Sequence, residues 1–152
     1  MSRRCFLLLA LLVACASPLS AQLTVTGLRN LAFGVVIQGV PSSVAPNDPV
    51  KSGEFRIGAA IGNRIRITFT LPNRLNGPAG ATMPITFGAT DAIATGTAPT
   101  SIPVTFDPRT TASFTLVTSA TVLVFLGGRV APAVGQRTGA YSNTVTMTVT
   151  IF

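Results

Sequence analysis

Four carboxylates, Asp48, Glu54, Asp91 and Asp107, are the whole acidic complement of the 152 residues, and histidine is absent. Two convergent carboxylates could hydrolyse a glycosidic bond, one as the acid and one as nucleophile or base. All four lie in or beside turn-rich stretches or at strand ends, where acids are ordinarily solvated. Asn47 and Asp48 could open a calcium loop, but two donors are far fewer than the usual ~6–8 oxygens. Without histidine there is no Ser-His-Asp triad, and the commonest general base and metal ligand are missing. Gly127-Gly128 follows an apolar run, yet neither a helix nor a Lys-Ser/Thr pair follows it, so it is no phosphate loop. These residues argue against an enzyme and against a bound cofactor.

The remaining chemistry is cationic. Eleven basic residues against four acids give a net charge of +7. Arg56, Arg64 and Arg66 could form a patch for an anionic surface. They better suit a solvated strand face whose charges discourage edge-to-edge aggregation. No aromatic residue alternates with them in the sequence, and nucleic acid is not an expected partner. Lys51 and Glu54 suit a surface pair. Tyr141, the single tyrosine, suits the edge of a core with its hydroxyl hydrogen-bonded.

The N-terminus reads as an export signal. Arg3 and Arg4 are followed by an unbroken apolar run over residues 6–13, then Pro18 and the small residues Ser20 and Ala21. The run is short of the ~20 residues that span a bilayer. Residues 1–21 are therefore expected to be a signal peptide, with cleavage after Ala21. An alternative lies within it, because Leu12-Val13-Ala14-Cys15 resembles a lipobox in which Cys15 would be lipidated. Cleavage removes both cysteines, Cys5 and Cys15. The zinc sites built from His or Cys are then out of reach, and the exported domain must hold together without a disulfide. The expected location is periplasm, cell surface or extracellular space.

The rest of the chain reads as strands and turns. Proline recurs too often for long helices. Over residues 63–71, Ile65, Ile67, Phe69 and Leu71 alternate with Arg64, Arg66, Thr68 and Thr70, the pattern of a half-buried strand. Further strands are expected over 31–38, 54–57, 83–87, 102–106, 113–117 and 121–126, the last of them central in its sheet. Loops are expected over 40–52, 72–80, 89–101 and 127–139. At the C-terminus Tyr141, Val145, Met147, Val149 and Ile151 share one face, and Ser142, Thr144, Thr146, Thr148 and Thr150 share the other. About seven short strands imply an all-β, immunoglobulin-like antiparallel β-sandwich.

Leu31-Ala32-Phe33-Gly34 resembles the Leu-x-Phe-Gly signature of exported bacterial domains related to spore coat protein U and to chaperone–usher pilins. Gly53-Glu54-Phe55-Arg56-Ile57-Gly58 and Arg66-Ile67-Thr68-Phe69 are similar to the middle of that pattern. Gly127-Gly128, Pro132, Gln136 and Gly139-Ala140-Tyr141-Ser142, running into Val145-Thr146-Met147-Thr148-Val149, are similar to its end. The resemblance covers residues 31–152. It implies a sandwich that lacks its last strand and is completed by a donor strand. A periplasmic chaperone supplies that strand first and another subunit supplies it later, at an outer-membrane usher. The expected acceptor-groove strand carries Gly139, Tyr141, Val145, Met147, Val149 and Ile151. Residues 22–30 are then an N-terminal extension, with Leu23, Val25 and Gly27 as one face of a candidate donor strand for self-association. The implied function is a non-enzymatic structural subunit of a pilus or coat-like appendage. The alternative is a self-complete sandwich, secreted or lipid-anchored, that serves adhesion or binding, with residues 23–26 as its own first strand.

Overall fold

The computed structural model describes residues 23–98, 102–117 and 120–152. The expected signal peptide and Cys15 lie outside them.

Period-2 alternation builds the centre. In β4 (Arg64–Thr70) Ile65, Ile67 and Phe69 are buried, and the arginines and threonines between them are exposed. In β10 (Thr121–Leu126) Val122, Val124 and Leu126 are buried. The first sheet has five strands in the order β1 (Thr24–Arg29), β3 (Gly53–Gly58), β10, β7 (Ala92–Gly96) and β8 (Val104–Phe106). The second has β4 between β12 (Thr146–Ile151) and β9 (Ala112–Thr115). The third runs β2 (Ser42–Val44), β11 (Gly128–Val130), β6 (Thr82–Thr86) and β5 (Arg74–Asn76). All pairings between named strands are antiparallel.

The protein is thus an all-β antiparallel sandwich. Phe55 of the first sheet meets Phe69 of the second edge-on at 5.7 Å, and Phe106 meets Phe114 in the same way at 5.4 Å. Ile57 and Val124 face Ile65 and Ile67 across the interior, all four fully buried. Met83, Ile85 and Val130 of the third sheet close the same core.

Gly127 lets one run of chain serve two sheets. β10 belongs to the first sheet and β11 to the third, with Gly127 as the only residue between them. A Cβ there would fall against the Val44 carbonyl and 2.8 Å from the Pro46 nitrogen. Corners of this kind are where a strand can change sheets.

Several expectations need correction. The loops read over 40–52, 72–80 and 127–139 contain β2, β5 and β11, and the loop over 89–101 contains β7. Three-residue strands show no period in sequence and exist only because a partner lies beside them. Residues 31–38, expected as a strand, form none, because no strand lies alongside to complete a ladder. Residues 24–29 form β1 and pair with β3 of the same chain, the arrangement expected of the alternative in which residues 23–26 are the domain's own first strand.

Candidate functional site

β12 is an edge strand. It pairs with β4 from Thr146 opposite Thr70 to Ile151 opposite Ile65, and its other side meets no strand among the described residues. The Phe152 N–H donates to the Arg64 carbonyl at 3.0 Å. Antiparallel pairing alternates, so Thr150, Thr148 and Thr146 also turn their backbone groups toward β4. Met147, Val149 and Ile151 turn theirs to the open side. Their side chains lie on the core side, and Val145, Met147 and Val149 are half-buried against the core. One set of residues therefore presents both free backbone groups and apolar side chains.

The opposite wall is the segment that follows β1. Leu31, Phe33 and Val36 pack against the core, and the Ala32 N–H donates to the Lys51 carbonyl at 2.9 Å. Between the walls lies a groove of about 880 Å³, floored by Phe55, Leu75, Met83 and Ile85. The walls converge at one end. There Gln38 Nε2 donates to the Gln136 carbonyl, and the Gly39 N–H donates to the Ala133 carbonyl at 3.2 Å.

Tyr141 anchors that end. Its hydroxyl donates to the Arg137 carbonyl at 2.7 Å and accepts from Gln136 Nε2 at 2.6 Å. A tyrosine bonded to backbone four residues upstream pins the turn ahead of the last strand, as a tyrosine corner does in other sandwiches. Gly77 makes room for it, because a Cβ at Gly77 would clash with the edge of the Tyr141 ring. Gly139, at φ +139°, leaves no space for a side chain against Pro78. The expected groove residues Gly139, Tyr141, Val145, Met147, Val149 and Ile151 thus follow one wall, with Gly139, Tyr141 and Val145 lining the groove itself. Sequence reasoning missed the opposite contributors Phe33 and Val36, whose role depends on the chain crossing away from β1.

The candidate donor residues sit elsewhere. Val25 lies opposite Ile57 and Gly27 opposite Phe55 in the β1–β3 ladder, and Leu23 packs against the core. Arg29 fastens the end of β1. Its Nε donates to the Ser52 carbonyl at 2.8 Å, and Nη1 lies 3.2 Å from Glu54 Oε2. Glu54 therefore pairs with Arg29, not with Lys51 as expected.

No acid pair forms. Asp48 accepts from the backbone N–H groups of Lys51 and Val50, which hold its carboxyl below the ordinary aspartate value. Asp107 is lowered by the Arg109 guanidinium, with Nη2 at 2.7 Å from Oδ2. Asp91 accepts from the Gly88 N–H. Among the described residues, no three of His, Cys, Asp and Glu come together as metal ligands. Arg56 lies on the outer face of the first sheet and Arg64 and Arg66 on that of the second, so the expected three-arginine patch is divided.

Comparison with known proteins finds no matching family model, no matching curated protein and no matching solved structure.

Proposed function

We propose that this chain is a non-enzymatic structural subunit of a bacterial surface appendage, completed by a strand from another molecule. The carrying observation is the unpaired edge of β12, where Met147, Val149 and Ile151 carry both the free backbone groups and the apolar side chains, in line with Val145 at the rim of the groove. A strand laid there would gain ladder hydrogen bonds for affinity and pockets for alternate side chains, the mode called β-augmentation. The donors expected for such a subunit are a periplasmic chaperone and then a neighbouring subunit at an outer-membrane usher.

The test is assembly. The exported protein, unboiled, should run on a denaturing gel as a ladder, because a fully laddered inserted strand resists detergent. A protein that stays monomeric, and binds no chaperone when one is co-expressed, sinks the reading.

The pairing of β1 with β3 favours a second reading for the N-terminus. There the chain accepts a strand without giving β1, or stands as a self-complete, secreted or lipid-anchored adhesion module. Leu23→Asp with Val25→Asp separates the cases. If β1 is donated, the ladder disappears while the subunit keeps its melting transition. If β1 belongs to its own sheet, the variant loses thermal stability through Leu23, which packs against the core, while Val25→Asp alone barely changes it.

A further inference from the structure

We propose that the outer face of the β12–β4–β9 sheet is a binding surface for an acidic polysaccharide, with Arg64 and Arg66 as its anion contacts. The register sets its composition. Thr148 stands opposite Thr68, whose hydroxyl lies 3.4 Å from that of Thr111. Thr150 stands opposite Arg66, which stands opposite Ser113, and Arg64 stands opposite Thr115. Every one of these residues is exposed. The face is therefore two guanidinium groups set among rows of hydroxyls.

Phe152 supplies what the sequence pattern lacks. Folding brings it beside the two arginines, with their Cζ atoms 4.7 and 4.6 Å from the ring centroid. Cation–π contact of this kind holds the side chains in place without neutralising them. None of the four side-chain acids is paired with them. Glu54 is paired with Arg29 and Asp107 with Arg109, while Asp48 and Asp91 accept backbone N–H groups in their own turns. The surface thus keeps two planar forks suited to carboxylate or sulfate groups.

The partner follows from shape and chemistry. The face is an exposed sheet surface, so a small anion would be held by little. A polymer that repeats its acid groups gains from each added contact. Rows of threonine and serine hydroxyls complement sugar hydroxyls. Single-stranded nucleic acid would want a bare aromatic platform, and here the ring is already covered by guanidinium groups.

The experiment measures binding of the exported protein to polygalacturonate and to dextran sulfate at fixed ionic strength. Poly(dT) and neutral dextran serve as comparisons. Arg64→Ser with Arg66→Ser should weaken binding of the acidic polysaccharide about tenfold, as loss of two charge-assisted forks implies. Arg56→Ser, on the opposite sheet, should change it by less than about twofold. Preference for polygalacturonate assigns carboxylate as the ligand group, and preference for dextran sulfate assigns sulfate; either supports the proposal. Arg64→Lys with Arg66→Lys keeps the charge and loses the forks. It should weaken binding severalfold, and it decides the matter if the serine pair fails to fold. Equal binding by wild type and both paired variants overturns the proposal. So does an equal loss from Arg56→Ser, or poly(dT) binding as tight as the polysaccharide with the same arginine dependence.

Discussion

β1 and β12 are both six-residue edge strands that set threonines between apolar residues, yet they meet their surroundings differently. In β1, Thr24 to Leu28 are all exposed, with Val25 at 41% and Leu28 at 43%. In β12, Met147 and Val149 are half-buried and only the threonines and the last residue are open. The same alternation thus produces two outcomes. Val25 and Leu28 stay outside the packed core, whereas Met147 and Val149 pack against it. An edge strand is defined by what covers its inward face as much as by its sequence.

The sharpest way to break this contrast is a charge on each inward face. Met147→Asp should cost about 3 kcal/mol or prevent folding, since it places a carboxylate against the core. Val25→Asp should cost less than about 0.5 kcal/mol, as exposed substitutions usually do. Urea denaturation of the two variants, side by side, checks the ranking. A Val25→Asp protein as damaged as Met147→Asp would mean that β1 is better covered than its exposure indicates.

Tyr141→Phe tests the end of the groove next. It removes the hydrogen bond to the Arg137 carbonyl and the partner of Gln136, and should cost about 1 kcal/mol. Hydrogen exchange should quicken for residues 133–139 and stay unchanged in β1. Arg29→Ala should act the opposite way, loosening β1 with a global cost of about 0.5–1 kcal/mol. Exchange should quicken at residues 24–28 and leave β12 protected.

The smallest effect is set by pH. The carboxyls of Asp48 and Asp107 are held below the ordinary 3.8 in the folded chain. Between the folded and unfolded values the unfolded chain binds more protons, so stability falls as pH falls through that window. This contribution is whole above about pH 4 and lost below the folded values. Both groups are exposed, so the melting temperature should drop only slightly on acidification to that range. Asp48→Asn should flatten part of the drop.

The sequence made the central strands legible because burial imposes a period on them. Ile65, Ile67 and Phe69, and again Met147 and Val149, declare their inward face by alternation alone. β2, β5 and β11 carry three residues each, too few for any period, and their existence rests on neighbours far away in the chain. Residues 31–38 mislead in the other direction. Their apolar, β-branched composition suits a strand, but a strand needs a partner and this segment borders the groove. Half of the candidate site was readable for the same reason. The β12 wall announces itself, whereas Phe33 and Val36 join it only through the crossing after β1. Arg29 and Glu54 are 25 positions apart, so only the β1–β3 register pairs them.

The convergence of the groove walls at Gln38, Gln136 and Tyr141 makes the groove a gauge with a fixed zero. From Ser142, bridged to Asn76, to Ile151 the chain runs ten residues, the last six of them β12. A strand laid against it cannot slip by one residue, because its apolar face would turn outward. It cannot advance by two, because the tied loops block its way. Alignment would then be set by a mechanical stop as well as by side-chain matching. Any series of molecules joined through this groove would inherit one constant spacing from a single tyrosine and two glutamines.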